Sequence, residues 1–173
     1  GDRLKMINIS NYGILDINTD SFFHGCQNMT ATATDAPVIS TTSLFFTFSN
    51  CILFNGNINN WNLSNVTNLQ GMLSGCRAFN QTLANWDVGN VTTMENTFFS
   101  TLALLNLDTS NWNTSNLFRL QGTFAFSKAN PDVTNWNTPA LGDIRDCFNS
   151  ATNFDRNMSG WDIADITNLA NFC

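Results

Sequence analysis

Five tryptophans divide most of the chain almost evenly. Trp61, Trp86, Trp112, Trp136 and Trp161 stand 25, 26, 24 and 25 residues apart. Neither a helix nor a strand has a period of that length. It is the length of one supersecondary unit that stacks on copies of itself. One such unit cannot bury its own apolar face, so each is expected to cover the next.

Counting each Trp as position one gives a register. Position six holds Val66, Val91, Leu117, Leu141 and Ile166. Position nine holds Leu69, Met94, Leu120, Ile144 and Leu169, and position thirteen holds Leu73, Phe98, Phe124, Phe148 and Cys173. The Trp column, with Phe98, Phe124 and Phe148, is expected to form the core ladder. The register runs back without Trp through Ala36, Val38, Leu44, Phe48, Cys51 and Phe54. "SFFHGCQNM" at 21–29 repeats the end of the phrase, but the residues before it fit poorly. Residues 1–35 are therefore read as an N-terminal cap or divergent first coil. Residues 36–173 are read as a repeat region with coils starting at 36, 61, 86, 112, 136 and 161, expected to continue beyond the shown chain.

Steps of three and four between the apolar positions are helical spacing. In "SNVTNLQGMLSGC", Ser64 or Asn65 suits a helix N-cap and Gly75 a helix end. "FNQTLANWDV" alternates like a short strand. The expected fold class is α/β: a leucine-rich-repeat-like solenoid of about six coils, each a short helix plus a short parallel β-strand.

Charge narrows the function. The formal net charge is -6 and no basic run is present, which disfavours a nucleic-acid partner. Charged residues make up 12%, about half the ordinary share, while 43% are hydrophobic and 15 are Phe. No stretch reaches the ~18 apolar residues of a membrane span.

The phrase "WNLSNVTNLQGMLSGCRAFNQTLAN" at 61–85 resembles the BspA-like leucine-rich-repeat surface proteins, including the mycoplasma-type surface repeat of about 25 residues. "WDVGNVTTMENTFF" and "WDIADITNLANF" match its first half. The resemblance implies a solenoid on an extracellular or cell-surface protein, with adhesion or binding roles and no catalytic residues. The leading expectation is a non-enzymatic adhesion module recognising surface proteins or glycans. The alternative is a structural subunit, built from copies of itself into a filament, sheath or capsid.

No catalytic residues and no cofactor are expected. His24 has no visible partner base or nucleophile, and no Cys/His set has zinc spacing. Cys26, Cys51 and Cys76 lie 25 apart and are expected to stack as a ladder of thiols. Cys147 and Cys173 fall in adjacent columns of adjacent coils, a possible disulfide. Asn-x-Ser/Thr occurs at Asn8, Asn28, Asn62, Asn65, Asn80, Asn90, Asn113 and Asn157, possible N-glycosylation sites in a suitable secretory route. Asn60, Asn85, Asn111 and Asn135 precede the tryptophans and suit a polar ladder for the indole nitrogens. The Trp column itself could also offer sugar-stacking faces.

Overall fold

The computed structural model describes residues 4–5, 7–166 and 169–173. Successive units of about 25 residues lie on one another as coils, held by hydrogen bonds between equivalent positions. For reference, the first coil is 11–35, the second 36–60, the third 61–85, the fourth 86–111, the fifth 112–135, the sixth 136–160 and the seventh 161–173.

The expected helix-plus-strand coil is not what forms. Among the described residues there is no helix, and four strands of two or three residues are the only ones. These are β1 (Ile7–Ile9), β2 (Asp16–Ile17), β3 (Met29–Ala31) and β4 (Val38–Ile39). β1 pairs with β3 and β2 with β4, both parallel. Further along, parallel pairing shrinks to single bridges that run Ser43, Asn68, Thr93, Arg119, Asp143 from coil to coil. "FNQTLANWDV" forms no strand.

The residues read as helix form a ribbon of consecutive turns, and its amides explain why. In the third coil the amides of Leu69, Gly71, Leu73 and Gly75 donate to Thr93, Glu95, Thr97 and Phe99 of the next coil, at 2.8–3.1 Å. The intervening amides of Met72, Ser74 and Cys76 donate three residues back, to Leu69, Gly71 and Leu73. Every second amide thus points out of the coil, which an α-helix forbids, since all its interior amides bond four residues back. The same alternation holds at Leu44–Cys51, Met94–Thr101 and Leu120–Ser127. It satisfies the buried backbone without a helix, as burial requires.

The alternation needs a left-handed backbone at positions eleven and fifteen. Gly71 and Gly75 have φ of 62° and 73°. In other coils the same places hold Phe46 and Asn50, Asn96 and Ser100, Gly122 and Phe126, and Asp146 and Ser150, all with positive φ. Gly75 is thus a ribbon residue and not a helix end. At position eleven the side chain leans onto the following coil. A Cβ added to Gly71 would run into Cδ1 and Cε1 of Phe46. Gly71→Ala is therefore expected to cost about 2–4 kcal/mol, from the left-handed backbone and the displaced ring together. Phe46→Ala placed alongside it should return the ring's share. Urea unfolding of both variants checks this, and purely additive losses would show that ring and glycine do not interact.

The apolar columns of the sequence register meet inside the stack. Phe48, Phe98 and Phe124 are fully buried, and Phe148 is 3% exposed. Phe98, Phe124 and Phe148 stack with centroids 5.5 and 5.3 Å apart. Trp86, Trp112, Trp136 and Trp161 form a parallel pile at 6.1, 6.0 and 5.6 Å. Where column three changes from Leu63 to Thr114, the buried hydroxyl donates to Asn137 O at 2.9 Å.

The first coil joins this stack. Ser21, Phe23 and Gly25 donate to Phe45, Thr47 and Ser49, and Ser21 and Gly25 take the two left-handed places. It is shorter than its neighbours, because Asp16 pairs with Val38 only 22 residues on. That shortening is why its first half fits the repeat phrase poorly. Ala36 replaces Trp in the second coil, and Tyr12 packs edge-on against Trp61 at 5.6 Å.

Candidate functional site

The corners of each coil are built by Asn, Asp, Ser and Thr side chains that accept an amide two residues on. Asn62, Asp87, Asn113 and Asp162 do so at position two, bonding Ser64, Gly89, Ser115 and Ala164. Asn68, Thr93 and Asp143 do so at position eight. This local bond makes a tight turn without glycine. Asn62 therefore caps a corner, where the spacing predicts Ser64 or Asn65 as the cap of a helix. The abundance of Asn in the phrase follows from these corners.

The carboxylates are engaged in the same way. Asp35 accepts the amides of Tyr12 and Gly13, which hold its carboxyl below the usual range. Asp108 is lowered by Ser110, and Asp132 by Thr134. Asp143 is lowered chiefly by Arg145, whose guanidinium lies 2.8 Å away. These groups are spread along corners and do not converge. Among the described residues no three His, Cys, Asp or Glu are grouped to hold a metal ion.

The cysteines form two groups of free thiols. Cys51 and Cys76 are buried and donate to Phe23 O and Phe48 O, both at 3.0 Å, while Cys26 is half-buried. Burial pushes the Cys51 thiol up to about 12 and raises those of Cys76 and Cys147 as well. In later coils Thr101 and Ser127 take the Cys place and donate to carbonyls too, Thr101 to Phe98 O at 2.7 Å. The column thus keeps to small side chains, with Ala151 the member that cannot donate. Cys147 is buried and Cys173 exposed, and both stand as free thiols.

The candidate glycosylation sites differ in exposure. Asn8, Asn62, Asn65, Asn90, Asn113 and Asn157 are exposed, while Asn28 and Asn80 are half-buried. Asn80 is also committed to structure, accepting the amides of Leu105 and Asn106 at 2.8 and 3.1 Å.

The tryptophans lie inside, at 2–7% exposure, so their faces are not open to a ligand. Three of their indole nitrogens bond carbonyls, not the preceding asparagines: Trp86 to Ile58 O, Trp112 to Leu83 O and Trp161 to Val133 O, while those of Trp61 and Trp136 are buried without a hydrogen-bond partner among the described residues. Of those asparagines, Asn85 donates to Asn60 at 3.1 Å.

Aromatic rings do reach the surface on the ribbon. Phe46 and Phe99 are half-buried, and Phe126 is 48% exposed. His24 stacks over Phe46 at 6.0 Å, and Phe99 meets Phe126 edge-on at 5.5 Å. Between them lies a cavity of about 250 Å³ lined by Phe46, Ser74, Asn96 and Phe99. The register alone does not reveal this strip, because it ranks columns by recurrence and these rings do not recur. A usable signal was present: positions eleven and fifteen hold mostly Gly, Asn, Asp and Ser, the residues that tolerate a left-handed backbone, and Phe46 and Phe126 break that rule. A larger cavity, about 400 Å³, is lined by Ile144, Met158, Trp161, Ile163 and Phe172 among others. These include residues of the core columns that each coil presents to the next.

Fold and surface together define a repeat protein of stacked coils with turn-ribbon packing and a variable outer face. The chain belongs to the family described as "Mycoplasma protein of unknown function, DUF285", whose model matches residues 17–131 and 119–173. No curated protein and no solved structure shows significant similarity to it.

Proposed function

We propose that this chain is a non-enzymatic binding module of an extracellular or cell-surface protein, working like the BspA-like repeat proteins its phrase resembles. The observation that carries this reading is the contrast between the two sides of the ribbon. Inward columns are nearly constant, with Phe48, Leu73, Phe98, Phe124 and Phe148 at one position. Outward positions change from coil to coil, and partly exposed phenylalanines occupy places that small or polar residues fill elsewhere. Exposed aromatics concentrated on one face are the usual mark of a contact surface. The net charge of -6 and the corner-bound carboxylates suit a surface that recognises neutral or polar partners through several modest contacts.

Beads coated with the purified chain are expected to adhere to cultured animal cells well above albumin-coated beads. Adhesion no greater than that control would remove the reading.

A further inference from the structure

We infer that the cavity between Phe46 and Phe99 is a subsite for one pyranose ring of a glycan, an inference that rests on the binding-module reading above. The argument begins with what the stack does not need. Position eleven requires a left-handed backbone, which Gly71, Asn96, Gly122 and Asp146 supply in other coils. Phe46 adopts φ of 52° there, a conformation unfavourable for a bulky side chain. Position fourteen holds Ser49, Ser74, Ala125 and Asn149 in the neighbouring coils, and Phe99 in the fourth. Neither ring joins the buried core. Strain kept at a place where the fold offers cheaper residues points to a role outside the fold.

The setting of the two rings gives the chemistry. Phe46 belongs to the second coil and Phe99 to the fourth, so the third coil forms the floor between them. From the third coil Ser74 lines the cavity, a small side chain that keeps the floor low. Gly71 is the residue over which the Phe46 ring lies. Two polar side chains complete the lining, Ser74 and Asn96. Among the described residues, the Ser74 hydroxyl and the Asn96 side-chain amide are each in no hydrogen bond of the chain. Phe45 backs Phe46 at 4.1 Å and Phe126 backs Phe99 at 5.5 Å, which steadies both rings.

A pyranose offers both complementary surfaces. Its axial C–H bonds lie against an aromatic face, and its equatorial hydroxyls reach outward as donors and acceptors. Apolar walls with a few polar groups that fix orientation are the general form of a small-molecule site. At about 250 Å³ the cavity falls below the ~300 Å³ of ordinary ligand pockets, which suits a single ring. His24 beside Phe46 and Phe126 beside Phe99 extend the strip in both directions along the stack. The occupant is therefore an internal residue of a chain sugar whose neighbours pass along the strip. Binding of one ring at a shallow site gives a Kd on the order of millimolar.

The test is a titration of the isotope-labelled chain, followed by NMR, with soluble β-linked tetrasaccharides of glucose, N-acetylglucosamine and galactose. At least one is expected to shift the signals of Phe46, Ser74, Asn96 and Phe99, saturating at millimolar concentration. Phe99→Ala should weaken it about tenfold or more, while Phe118→Ala, an exposed ring on another column, should leave it unchanged. No shift with any of the three, or shifts that fall elsewhere, would overturn the subsite. So would shifts at these residues with a short proline- and tryptophan-containing peptide and none with sugar. Because the map is read on the unaltered chain, a poorly folded variant does not rescue or sink the proposal. Absent sugar shifts together with bead adhesion well above the albumin control would leave the binding module standing and the sugar subsite refuted.

Discussion

Trp112→Ala is expected to lower stability by about 3–5 kcal/mol, the range for removing a buried aromatic side chain. Trp112 sits midway in the indole pile, between Trp86 and Trp136 at 6.1 and 6.0 Å, and touches Phe98. Its indole nitrogen donates to Leu83 O at 3.1 Å. Leu83 O also accepts the amide of Trp86, so it keeps a partner when the indole is gone. The loss is therefore mainly the gap between two rings that cannot close upon each other while the backbone ladders hold the coils apart. Since a domain's whole stability is about 5–15 kcal/mol, this is a large share. In a stack each coil contacts only its neighbours, so the gap should also weaken coupling between the two halves. Urea unfolding is expected to show a lower midpoint and a shallower transition than the parent chain. Trp112→Phe, which fills most of the gap, should cost about half as much or less, and equal losses would count against the gap account.

Alkaline pH is expected to unfold the protein well before its backbone chemistry suffers. Cys51 is pushed up to about 12, and Cys76 and Cys147 are raised too, all by burial. Ionised thiols cannot be accommodated inside, whereas the unfolded chain ionises near the ordinary value of about 8.5. Between those limits the folded state binds more protons than the unfolded state, so stability must fall as pH rises. Each fully protected thiol contributes a loss of about 1.4 kcal/mol per pH unit, or about 4 for three. Urea midpoints under reducing conditions should hold steady from pH 7 to 8 and drop steeply between 9 and 10.5. Tyr12, also raised by burial, adds to the loss above about pH 10. The chain supplies its own control, since Ser127 fills the column of Cys51 and Cys76, and Thr123 that of Cys147. A variant with Cys51→Ser, Cys76→Ser and Cys147→Thr should lose most of the steep drop. An unchanged drop would place the alkaline sensitivity elsewhere.

The site was less legible than the core. A column that recurs, such as Leu73, Phe98, Phe124 and Phe148, announces itself by repetition. Phe46, Phe99 and Phe126 stand at three different positions of the repeat. They come onto one strip only because the ribbon lays positions eleven, fourteen and fifteen along one face of the stack, across the second, fourth and fifth coils. The reading of Trp faces as sugar platforms failed for the opposite reason. Recurrence marked the Trp column as special, and recurrence here means burial: Trp86 is 2% exposed.

By itself the sequence determined the repeat length, the register and which side chains face inward. These follow from one constraint, that apolar residues at a fixed period must meet their equivalents in the next unit. The tertiary structure alone decided what the backbone does between those residues. Steps of three and four from Val66 to Leu69 to Leu73 suit a helix as well as a turn ribbon, because both turn the chain by similar amounts. The choice lies in where amides find partners. With Thr93, Glu95, Thr97 and Phe99 of the next coil offering carbonyls within 2.8–3.1 Å, half the ribbon's amides bond outward. Left-handed backbone at Gly71 and Gly75 completes the turns that no helix could contain. Those acceptors belong to another coil, so no window of sequence the length of a helix contains them.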